Sequence, residues 1–287
     1  MDARPEISEG KPRRRGLRSL IWVGLFALLL FIPAGTVRWP GAWVYLAILA
    51  VATVWGFNWL ERHDPALLAE RLRPPIQRGQ PLTDKLLMGA FLPLWFGWFG
   101  LMGLDRRFGW SSVPVALEIL GAVLLCLGIW LSFEVLKENS YAVPVVKVQK
   151  ERGHSVVCTG PYAYVRHPMY ASVLLIGTGA PLLLCSWWGL LGVPLFMLVL
   201  GARAVIEERV LTTELEGYAD YAKRVRYRFV PRLWEGGDQR YGSAETGRRY
   251  WHRTRIRTHA VVLQPCRPLG PHLHQGRATC KPERRAR

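Results

Sequence analysis

The sequence predicts an all-α, polytopic membrane protein with about six transmembrane helices arranged as three hairpins. Of its 287 residues, 50% are hydrophobic and 13 are Trp, which is unusual for a soluble domain. The apolar residues also occur in blocks, and a bilayer crossing needs about 20 consecutive apolar residues. The blocks near this length are 17–35, 41–60, 86–104, 113–133, 170–185 and 187–206.

The first four blocks form two hairpins. The first block, "LRSLIWVGLFALLLFIPAG" (17–35), has no small-residue cleavage site, so we interpret it as a retained helix rather than a signal peptide. A tight "RWPGA" turn joins it to the second block. Loop 61–85 is predicted to carry a short amphipathic helix around 65–72 and then a proline break, on the membrane surface. The second hairpin, 86–136, turns around "DRRFGWSS".

The last two blocks form the third hairpin, 169–216, after a long connection at 137–168. The fifth block is short, so its helix begins inside the headgroup layer. The sixth helix is predicted to continue to Glu216, which at 1.5 Å per residue is about 40 Å from Leu190. Beyond it, "YADYAKRVRYRFVPRLW" (218–234) mixes aromatic and basic residues, a composition suited to the headgroup layer.

Positive charges in short connections predict the orientation, because Lys and Arg collect on the cytoplasmic side. The N-terminal segment and two of the connections are rich in Lys and Arg, whereas the other three connections hold only Arg38, Arg106 and Arg107. The basic residues on the side predicted to be cytoplasmic are Arg4, Lys11, Arg13, Arg14, Arg15, Arg18, Arg62, Arg71, Arg73, Arg78, Lys85, Lys137, Lys147, Lys150, Arg152 and Arg166. We therefore expect a multi-pass protein of the inner or plasma membrane with both termini in the cytoplasm.

The formal net charge of +17 does not indicate a nucleic-acid partner. Residues 235–287 hold 12 Lys and Arg against 4 Asp and Glu, so +8 of the charge lies in this segment. The remaining charge fits cytoplasmic loops that face anionic membrane lipid. The segment has no sustained hydrophobic period, which predicts a disordered tail. No protein partner is indicated either.

The stretch "GPYAYVRHPMY" (160–170) predicts an anion site at the membrane edge. Pro168 suits the first turn of a helix, and the residue before a proline is disfavoured from helical backbone angles. The fifth helix therefore begins near Pro168, with its free N–H groups facing the cytoplasm. Arg166 and His167 add donors there, as a carboxylate or phosphate would require. The alternative is that both side chains contact lipid phosphates while the tyrosines act as interfacial anchors.

Two carboxylates complete the candidate site. Glu207 and Glu208 end the sixth span, and carboxylates at membrane depth are costly and usually functional. Arg203 could pair with Glu207 one turn later, but Glu208 points about 100° further round the helix. The predicted site would offer cations to a ligand carboxylate, carboxylates to a ligand ammonium, and aromatic faces to a cation or a base. This set of groups matches S-adenosylmethionine. No G-x-G-x-x-G loop follows a predicted strand, so a Rossmann domain is not indicated, and neither is a metal site.

The stretch from Glu138 to Trp234 resembles the C-terminal half of the isoprenylcysteine carboxyl methyltransferase family, including its bacterial members and the related phospholipid methyltransferases. The matching pieces are "ENSYAVPVVKVQKERGHSVVCTGPYAYVRHPMYAS", the "EE" of "VIEERVLTTELEGYADYAKRVRYRFVP", and the hairpin between them. The first two hairpins match only in hydropathy. The resemblance implies an integral membrane enzyme that binds S-adenosylmethionine on its cytoplasmic side and receives a lipid acceptor from the bilayer side.

The resemblance also assigns site residues. The family's Arg-His-Pro-x-x-Tyr run falls on Arg166, His167, Pro168 and Tyr170, although here only one residue separates Pro168 from Tyr170. Its Glu pair falls on Glu207 and Glu208. Its Gly-Pro-Tyr lead-in falls on Gly160, Pro161 and Tyr162. His154 could line the adenine pocket or be a solvated loop histidine. Asn139 could cap the fourth span or position the loop that follows.

The function predicted on this basis is methyl transfer from S-adenosylmethionine to a lipid-like or isoprenoid acceptor, with carboxyl O-methylation of the isoprenylcysteine type preferred. Arg166 and Glu208 are the predicted catalytic residues. Arg166 would orient the acceptor or the cofactor carboxylate, and Glu208 would hold the cofactor ammonium or favour the sulfonium. The sequence does not separate the roles of Glu207 and Glu208. The alternatives are a membrane NADPH-dependent reductase of the steroid-reductase type and a non-catalytic membrane scaffold.

The predicted domain organisation follows from these assignments. A basic cytoplasmic segment (1–16) precedes four transmembrane helices (17–136). The methyltransferase core with the last two spans (137–234) comes next, and the basic tail (235–287) ends the chain.

Overall fold

The computed structural model describes residues 13–77 and 80–231, and within them it is all-helical apart from isolated bridge residues at 157 and 227. Residues 1–12 of the predicted N-terminal segment and the predicted tail 235–287 lie outside the described residues. The α-helices are α1 (Arg13–Ala34), α2 (Pro40–His63), α3 (Pro65–Arg71), α4 (Leu82–Phe108), α5 (Val115–Glu138), α6 (Pro168–Leu183), α7 (Trp187–Glu214) and α8 (Tyr218–Arg224). Two 3₁₀ turns, Lys150–Arg152 and Gly160–Ala163, interrupt the connection between α5 and α6.

Local sequence signals set the start of two helices near the site. The Asp64 carboxylate caps α3 by accepting a hydrogen bond of 3.0 Å from the Leu67 backbone N–H, and Pro65 occupies the first helical position. The short surface helix predicted around 65–72 is therefore present. Pro168 likewise opens α6 with His167 as its N-cap residue, as the sequence predicted.

Four of the described helices, α2, α4, α5 and α7, are long and apolar enough to cross a membrane. Two further apolar stretches, Ile21–Ala34 and Pro168–Leu183, are shorter. At 1.5 Å per residue the 16-residue α6 spans about 24 Å, less than the roughly 30 Å hydrocarbon core of a bilayer. These features define a polytopic membrane protein, and the crossing of all six apolar helices stays a prediction.

Helices α5 and α6 pack closely because glycines remove side chains from their interface. A Cβ atom added to Gly121 of α5 would lie 2.5 Å from the Leu183 backbone nitrogen. One added to Gly179 of α6 would lie 2.6 Å from the Gly121 carbonyl oxygen. Small residues allow this approach of backbones in membrane proteins. The contact holds the N-terminus of α6 beside the end of α5, where the site lies.

A buried ion pair ties α4 to α7. The Asp84 side chain is fully buried, and the Arg203 Nε donates to its Oδ1 at 2.8 Å. The Asp84 Oδ2 accepts hydrogen bonds from Gln80 Nε2 at 2.6 Å and from the Val146 backbone N–H at 3.0 Å. Arg203 also donates to the Pro144 carbonyl. The alternative that Arg203 pairs with Glu207 is therefore wrong, because a buried carboxylate on another helix holds the guanidinium.

Candidate active site

A cavity of about 300 Å³ lies among the first turns of α6, the C-terminal half of α7 and the connection between α5 and α6. This volume is at the lower end of the range for small-molecule sites. Among the predicted site residues, those that line the cavity are His154, Tyr162, Arg166, His167, Tyr170 and Glu207. Gly160, Pro168 and Glu208 lie outside its lining. The structure thus brings both halves of the predicted site together.

Glu208 is held by three cationic or potentially cationic side chains. The Arg228 guanidinium donates two hydrogen bonds to Glu208 Oε2, from Nε at 3.1 Å and from Nη2 at 2.9 Å. His167 Nε2 lies 3.1 Å from Glu208 Oε1. Because a carboxylate only accepts, this nitrogen carries the proton. The Arg166 Nε also lies 3.1 Å from Glu208 Oε1. Glu208 therefore fixes the two side chains that reach the cavity from the start of α6.

Arg166 retains unused hydrogen-bonding capacity. Its side chain is 5% exposed, and the alignment of Nε with Glu208 gives an ion pair without a hydrogen bond. Within residues 13–77 and 80–231, Nε and Nη2 are both buried without a hydrogen-bond partner, and so is the Tyr218 hydroxyl. Arg166 and Tyr218 both line the cavity. Orphaned buried donors are rare in folded proteins, and here they provide the groups that an anionic ligand group needs.

Glu207 has different surroundings from its neighbour. Its side chain is 31% exposed and lines the cavity, and the Tyr170 hydroxyl donates to its Oε2 at 2.7 Å. The His167 Nδ1 lies 3.7 Å from the same oxygen. The Tyr170 ring stacks parallel to the His167 ring with centroids 5.2 Å apart. Glu207 is thus a positioned carboxylate that presents negative charge to the cavity.

The chain after α8 is hydrogen-bonded through its backbone to the residues at the start of α6. The Arg166 N–H donates to the Tyr227 carbonyl at 2.9 Å, and the His167 N–H donates to the Arg228 carbonyl at 2.8 Å. Phe229 packs edge-on against the Tyr170 ring, with centroids 5.5 Å apart. Of the segment predicted to lie in the headgroup layer, Tyr218 and Tyr221 line the cavity, whereas Tyr227, Arg228 and Phe229 contact residues at the start of α6.

The Gly-Pro-Tyr lead-in contributes Tyr162 to the cavity wall. Gly160 has a φ of 55°, and a Cβ there would lie 2.6 Å from the Glu138 side chain. Tyr162 accepts a hydrogen bond at its hydroxyl from Asn139 Nδ2 at 2.8 Å, while the Tyr221 hydroxyl donates to the Tyr162 carbonyl at 2.8 Å. Burial raises the pKa of Tyr162 well above its ordinary value, so its phenol stays protonated. Asn139 therefore both ends α5 and positions Tyr162.

His154 lines the cavity as a neutral ring. The Gln149 backbone N–H donates to its Nδ1 at 3.3 Å, and its ring stacks on Tyr141 with centroids 4.3 Å apart. Burial, together with the nearby Arg152 guanidinium, lowers the pKa of His154 to about 4. The stacked rings of His154 and Tyr141 both line the cavity.

Sequence reasoning missed three groups of this site. Arg228 was assigned only to a basic headgroup segment, Tyr218 was counted only as one of its aromatic residues, and Asp84 was not singled out. The alternating arginines of "RVRYR" do not single out Arg228, which contacts Glu208, from Arg226, which is exposed. No local pattern links Asp84 to Arg203, because 119 residues separate them.

The fold and this cavity define a polytopic membrane protein with a charged ligand site at one end of its helical bundle. Residues 117–216 match the model of the phospholipid methyltransferase family. The chain is also similar to the protein-S-isoprenylcysteine O-methyltransferase of Dictyostelium discoideum, at 27% identity over 142 residues. The alignment covers 49% of this chain and 55% of that protein, so the chain spans about half the length of this curated relative. Both matches are to methyltransferases, of the phospholipid and the isoprenylcysteine carboxyl type, and the chain is similar to them over the matched residues.

The family match covers most of the site but not all of it. It begins in α5 and ends just after α7, so it includes Arg166, His167 and the glutamate pair. Asp84 lies before the matched residues, while Tyr218 and Arg228 lie after them. The site is therefore assembled by the matched region together with flanking parts of the chain.

Proposed function

We propose that the protein is an integral membrane methyltransferase that uses S-adenosylmethionine to methylate a lipid-like acceptor, with carboxyl O-methylation of the isoprenylcysteine type preferred. The observation that carries the proposal is a single cavity lined by Arg166, Tyr218 and Glu207. Arg166 and Tyr218 contribute buried donors that have no hydrogen-bond partner among the described residues, and Glu207 contributes a carboxylate. Both comparisons name methyltransferases, which supports this chemistry over a reductase or a scaffold. The cytoplasmic orientation of the cavity is part of the proposal.

Each functional group of S-adenosylmethionine has a suitable partner among the residues that line the cavity. The guanidinium of Arg166 and the hydroxyl of Tyr218 would bind its carboxylate, and Glu207 would bind its ammonium. The stacked His154 and Tyr141 rings would face its base. Bound there, S-adenosylmethionine supplies an electrophilic methyl group. Gly160 and Pro168 would act through the backbone, by shaping the lead-in turn and the start of α6.

The predicted catalytic pair then divides into two kinds of contribution. Arg166 would touch the donor, whereas Glu208 would act by fixing Arg166 and His167 in place. Positioning two reactants and excluding water supply much of the rate acceleration in such a transfer. An acceptor that is already a carboxylate needs no general base, and we assign none.

Binding of the methyl donor tests the proposal directly. Calorimetry on the purified full-length protein in detergent should detect S-adenosylhomocysteine and S-adenosylmethionine, but not NADPH. Incubation of membranes with labelled S-adenosylmethionine should then transfer label to a lipid fraction. Tight binding of NADPH without binding of either adenosyl ligand would favour the reductase alternative and contradict the proposal.

Arg166 variants provide the residue-level test. A charge-assisted hydrogen bond contributes about 1.5–3 kcal/mol. Arg166→Ala should therefore raise the Kd of S-adenosylhomocysteine roughly ten- to a hundredfold. Arg166→Lys should recover only part of the affinity, because the planar fork is lost. Unchanged affinity in an Arg166→Ala protein with wild-type thermal stability would rule out this contact.

A further inference from the structure

A second guanidinium reaches the same cavity from outside the family-matched region. Arg71 is the last residue of α3, and its Nη1 donates to the Ala142 carbonyl at 2.6 Å. Among the described residues, its other guanidinium nitrogens make no hydrogen bond, and no carboxylate lies within ion-pair distance of it. Arg71 therefore brings a positive charge to the cavity wall without a protein anion to balance it.

The neighbouring cations differ from Arg71 in this respect. In the described part of the chain, the other Lys and Arg side chains on the cavity wall have carboxylate partners: Lys147 with Glu70 at 2.7 Å, Arg166 with Glu208 at 3.1 Å, and Arg203 with Asp84 at 2.8 Å. Arg73, two residues after Arg71, pairs with Glu70 at 3.0 Å and is not part of the wall.

An unbalanced charge in this position has a physical cost. Burial lowers the pKa of Arg71, yet an arginine stays protonated in proteins, so the charge cannot be removed by losing a proton. A partly enclosed cation without a counter-charge is stabilised when an anion binds beside it. The wall around Arg71 thus favours a ligand that carries negative charge.

The position of Arg71 indicates which ligand supplies that charge. The groups suited to the amino-acid part of the methyl donor, Arg166, Tyr218 and Glu207, belong to the start of α6, α8 and α7. Arg71 instead stands on the short helix that follows α2, and the apolar side chains of Met88 and Phe91 from α4 line the same cavity. An apolar tail lying along α4 would bring an attached anionic group to the level of α3.

We propose that Arg71 recognises the carboxylate of an amphiphilic methyl acceptor and so determines the specificity of the site for anionic acceptors. The inference rests on the proposed function. A carboxylate oxygen would form the new bond to the methyl carbon while the carbon–sulfur bond breaks, the bonding electron pair would remain on sulfur, and no proton would be transferred. An ammonium acceptor would first have to lose a proton and would be repelled by Arg71.

The test compares an acid with its neutral analogue. The probes are N-acetyl-S-farnesylcysteine and the corresponding carboxamide, titrated into full-length protein saturated with S-adenosylhomocysteine. The wild-type protein should bind the acid at least about tenfold more tightly than the amide, as expected for a charge-assisted contact. Arg71→Gln should abolish this preference by weakening only the acid. Arg71→Lys keeps the charge but not the planar fork, and it should retain part of the preference.

Arg73→Gln is the matched control, because it removes a neighbouring cation that does not line the cavity. The Arg73→Gln protein should prefer the acid to the same extent as the wild type. Persistence of the full preference in Arg71→Gln would overturn the proposal. So would a loss of S-adenosylhomocysteine affinity in Arg71→Gln, which would place Arg71 on the methyl donor. If wild-type protein binds S-adenosylhomocysteine but binds the acid and the amide equally, the proposed role of Arg71 is overturned while the proposed function is not. Absence of S-adenosylhomocysteine binding by the wild type would instead contradict the proposed function.

If Arg71→Gln does not fold, Arg71→Lys carries the same test. A preference unchanged from the wild type would then overturn the proposal. A third probe, farnesyl phosphate, tests the choice of anion. Binding of the phosphate without binding of the acid would overturn the assignment of a carboxylate.

Discussion

Glu207 and Glu208 are adjacent in the sequence, yet the structure gives them separate surroundings. Glu208 is enclosed by Arg166, His167 and Arg228, so its charge is already balanced within the protein. Glu207 faces the cavity with a single hydrogen bond from Tyr170. A carboxylate that is already paired with protein cations attracts a ligand cation only weakly. We therefore expect Glu207 to contact the methyl donor and Glu208 to act as a positioning residue.

Replacing Glu208 should destabilise the protein as well as weaken ligand binding. Glu208→Gln would leave Arg166 and Arg228 facing each other without the carboxylate between them. Removing one partner of a buried ion pair costs about 3–5 kcal/mol. We expect a lower Tm and weaker binding of S-adenosylhomocysteine, measured by thermal unfolding and calorimetry in detergent.

Glu214→Gln provides the control for Glu208→Gln on the same helix. Glu214 is 49% exposed and pairs with the exposed Lys150 at 3.3 Å. Surface pairs of this kind contribute about 0–1 kcal/mol, so Tm should hardly change. Equal effects of the two substitutions would contradict the positioning role of Glu208.

Replacing Glu207 should weaken ligand binding without a large loss of stability. Glu207→Gln keeps an acceptor for the Tyr170 hydroxyl but removes the charge that faces the cavity. S-adenosylmethionine and S-adenosylhomocysteine share an ammonium group, so both should bind roughly ten- to a hundredfold more weakly. A loss confined to S-adenosylmethionine, measured in the same titrations, would instead place Glu207 beside the sulfonium.

The neutral His154 ring predicts a pH dependence of stability. Its pKa is about 4 in the folded protein, below the ordinary value of 6.5. As the pH falls from about 6.5 towards 4, the unfolded chain binds a proton that the folded chain does not, so stability falls on acidification. The contribution should reach on the order of 2 kcal/mol near pH 4.5.

His154→Asn isolates this effect, because its side-chain oxygen can still accept from the Gln149 N–H but does not titrate. Thermal unfolding of both proteins between pH 7.5 and 4.5 provides the measurement. The wild type should lose more stability over this range than the variant does. Parallel curves would show that His154 does not carry the effect.

At the scale of elements, the chain after α8 is bound to the start of α6 by two backbone hydrogen bonds, and to Glu208 of α7 by the Arg228 side chain. Its described residues, 225–231, include no regular helix, so contacts with the site are what order them. Arg228 lies at its centre, and loss of that side chain should loosen the whole segment. The element therefore has a role beyond contact with lipid headgroups.

Arg228→Gln should increase hydrogen exchange at the Arg166 and His167 amides, because their acceptors are the Tyr227 and Arg228 carbonyls. It should also weaken binding of S-adenosylhomocysteine. Arg226→Gln, which alters an exposed arginine in the same segment, should do neither. Mass-spectrometric hydrogen exchange on both variants gives the readout. Unchanged protection in Arg228→Gln would show that the backbone contacts alone hold the segment.

The start of an element was easier to predict than its end or its partners. Pro168 and the Asp64–Pro65 pair fix helix starts by local chemistry, which the sequence displays directly. The end of α7 was predicted at Glu216, but the helix stops at Glu214. Gly217, at a φ of 85°, is the N-cap residue that precedes α8.

At the scale of the whole molecule, hydropathy predicted an all-helical membrane protein, and four of the described helices are long and apolar enough to cross a membrane. Two motifs predicted residues of α6 and α7 that the structure brings close together. The partners of individual charges were not predictable in the same way. Arg203 had a local candidate in Glu207, and the fold offered a better one in Asp84, which is wholly removed from water. Such choices depend on how α4 lies against α7, and tertiary packing decides that.

The orientation of the whole molecule leads to a further prediction. Reporter domains fused before Leu17 and after Trp234 should both be cytoplasmic, and one inserted in the turn at 105–112 should be external. The reason is the surplus of Lys and Arg in alternate connections. Protease protection or cysteine labelling of intact cells provides the measurement. An external C-terminal reporter would contradict the prediction, because Arg166 and Glu207 could not then face the cytoplasm.

The Asp84–Arg203 pair also constrains the order of events during biosynthesis. Synthesis runs from the N-terminus, so α4 is made and inserted well before Arg203 leaves the ribosome. Until then Asp84 has no guanidinium partner, and an unpaired carboxylate resists entry into hydrocarbon. We therefore expect the start of α4 to reach its final position only after α7 has been made and Arg203 can pair with Asp84.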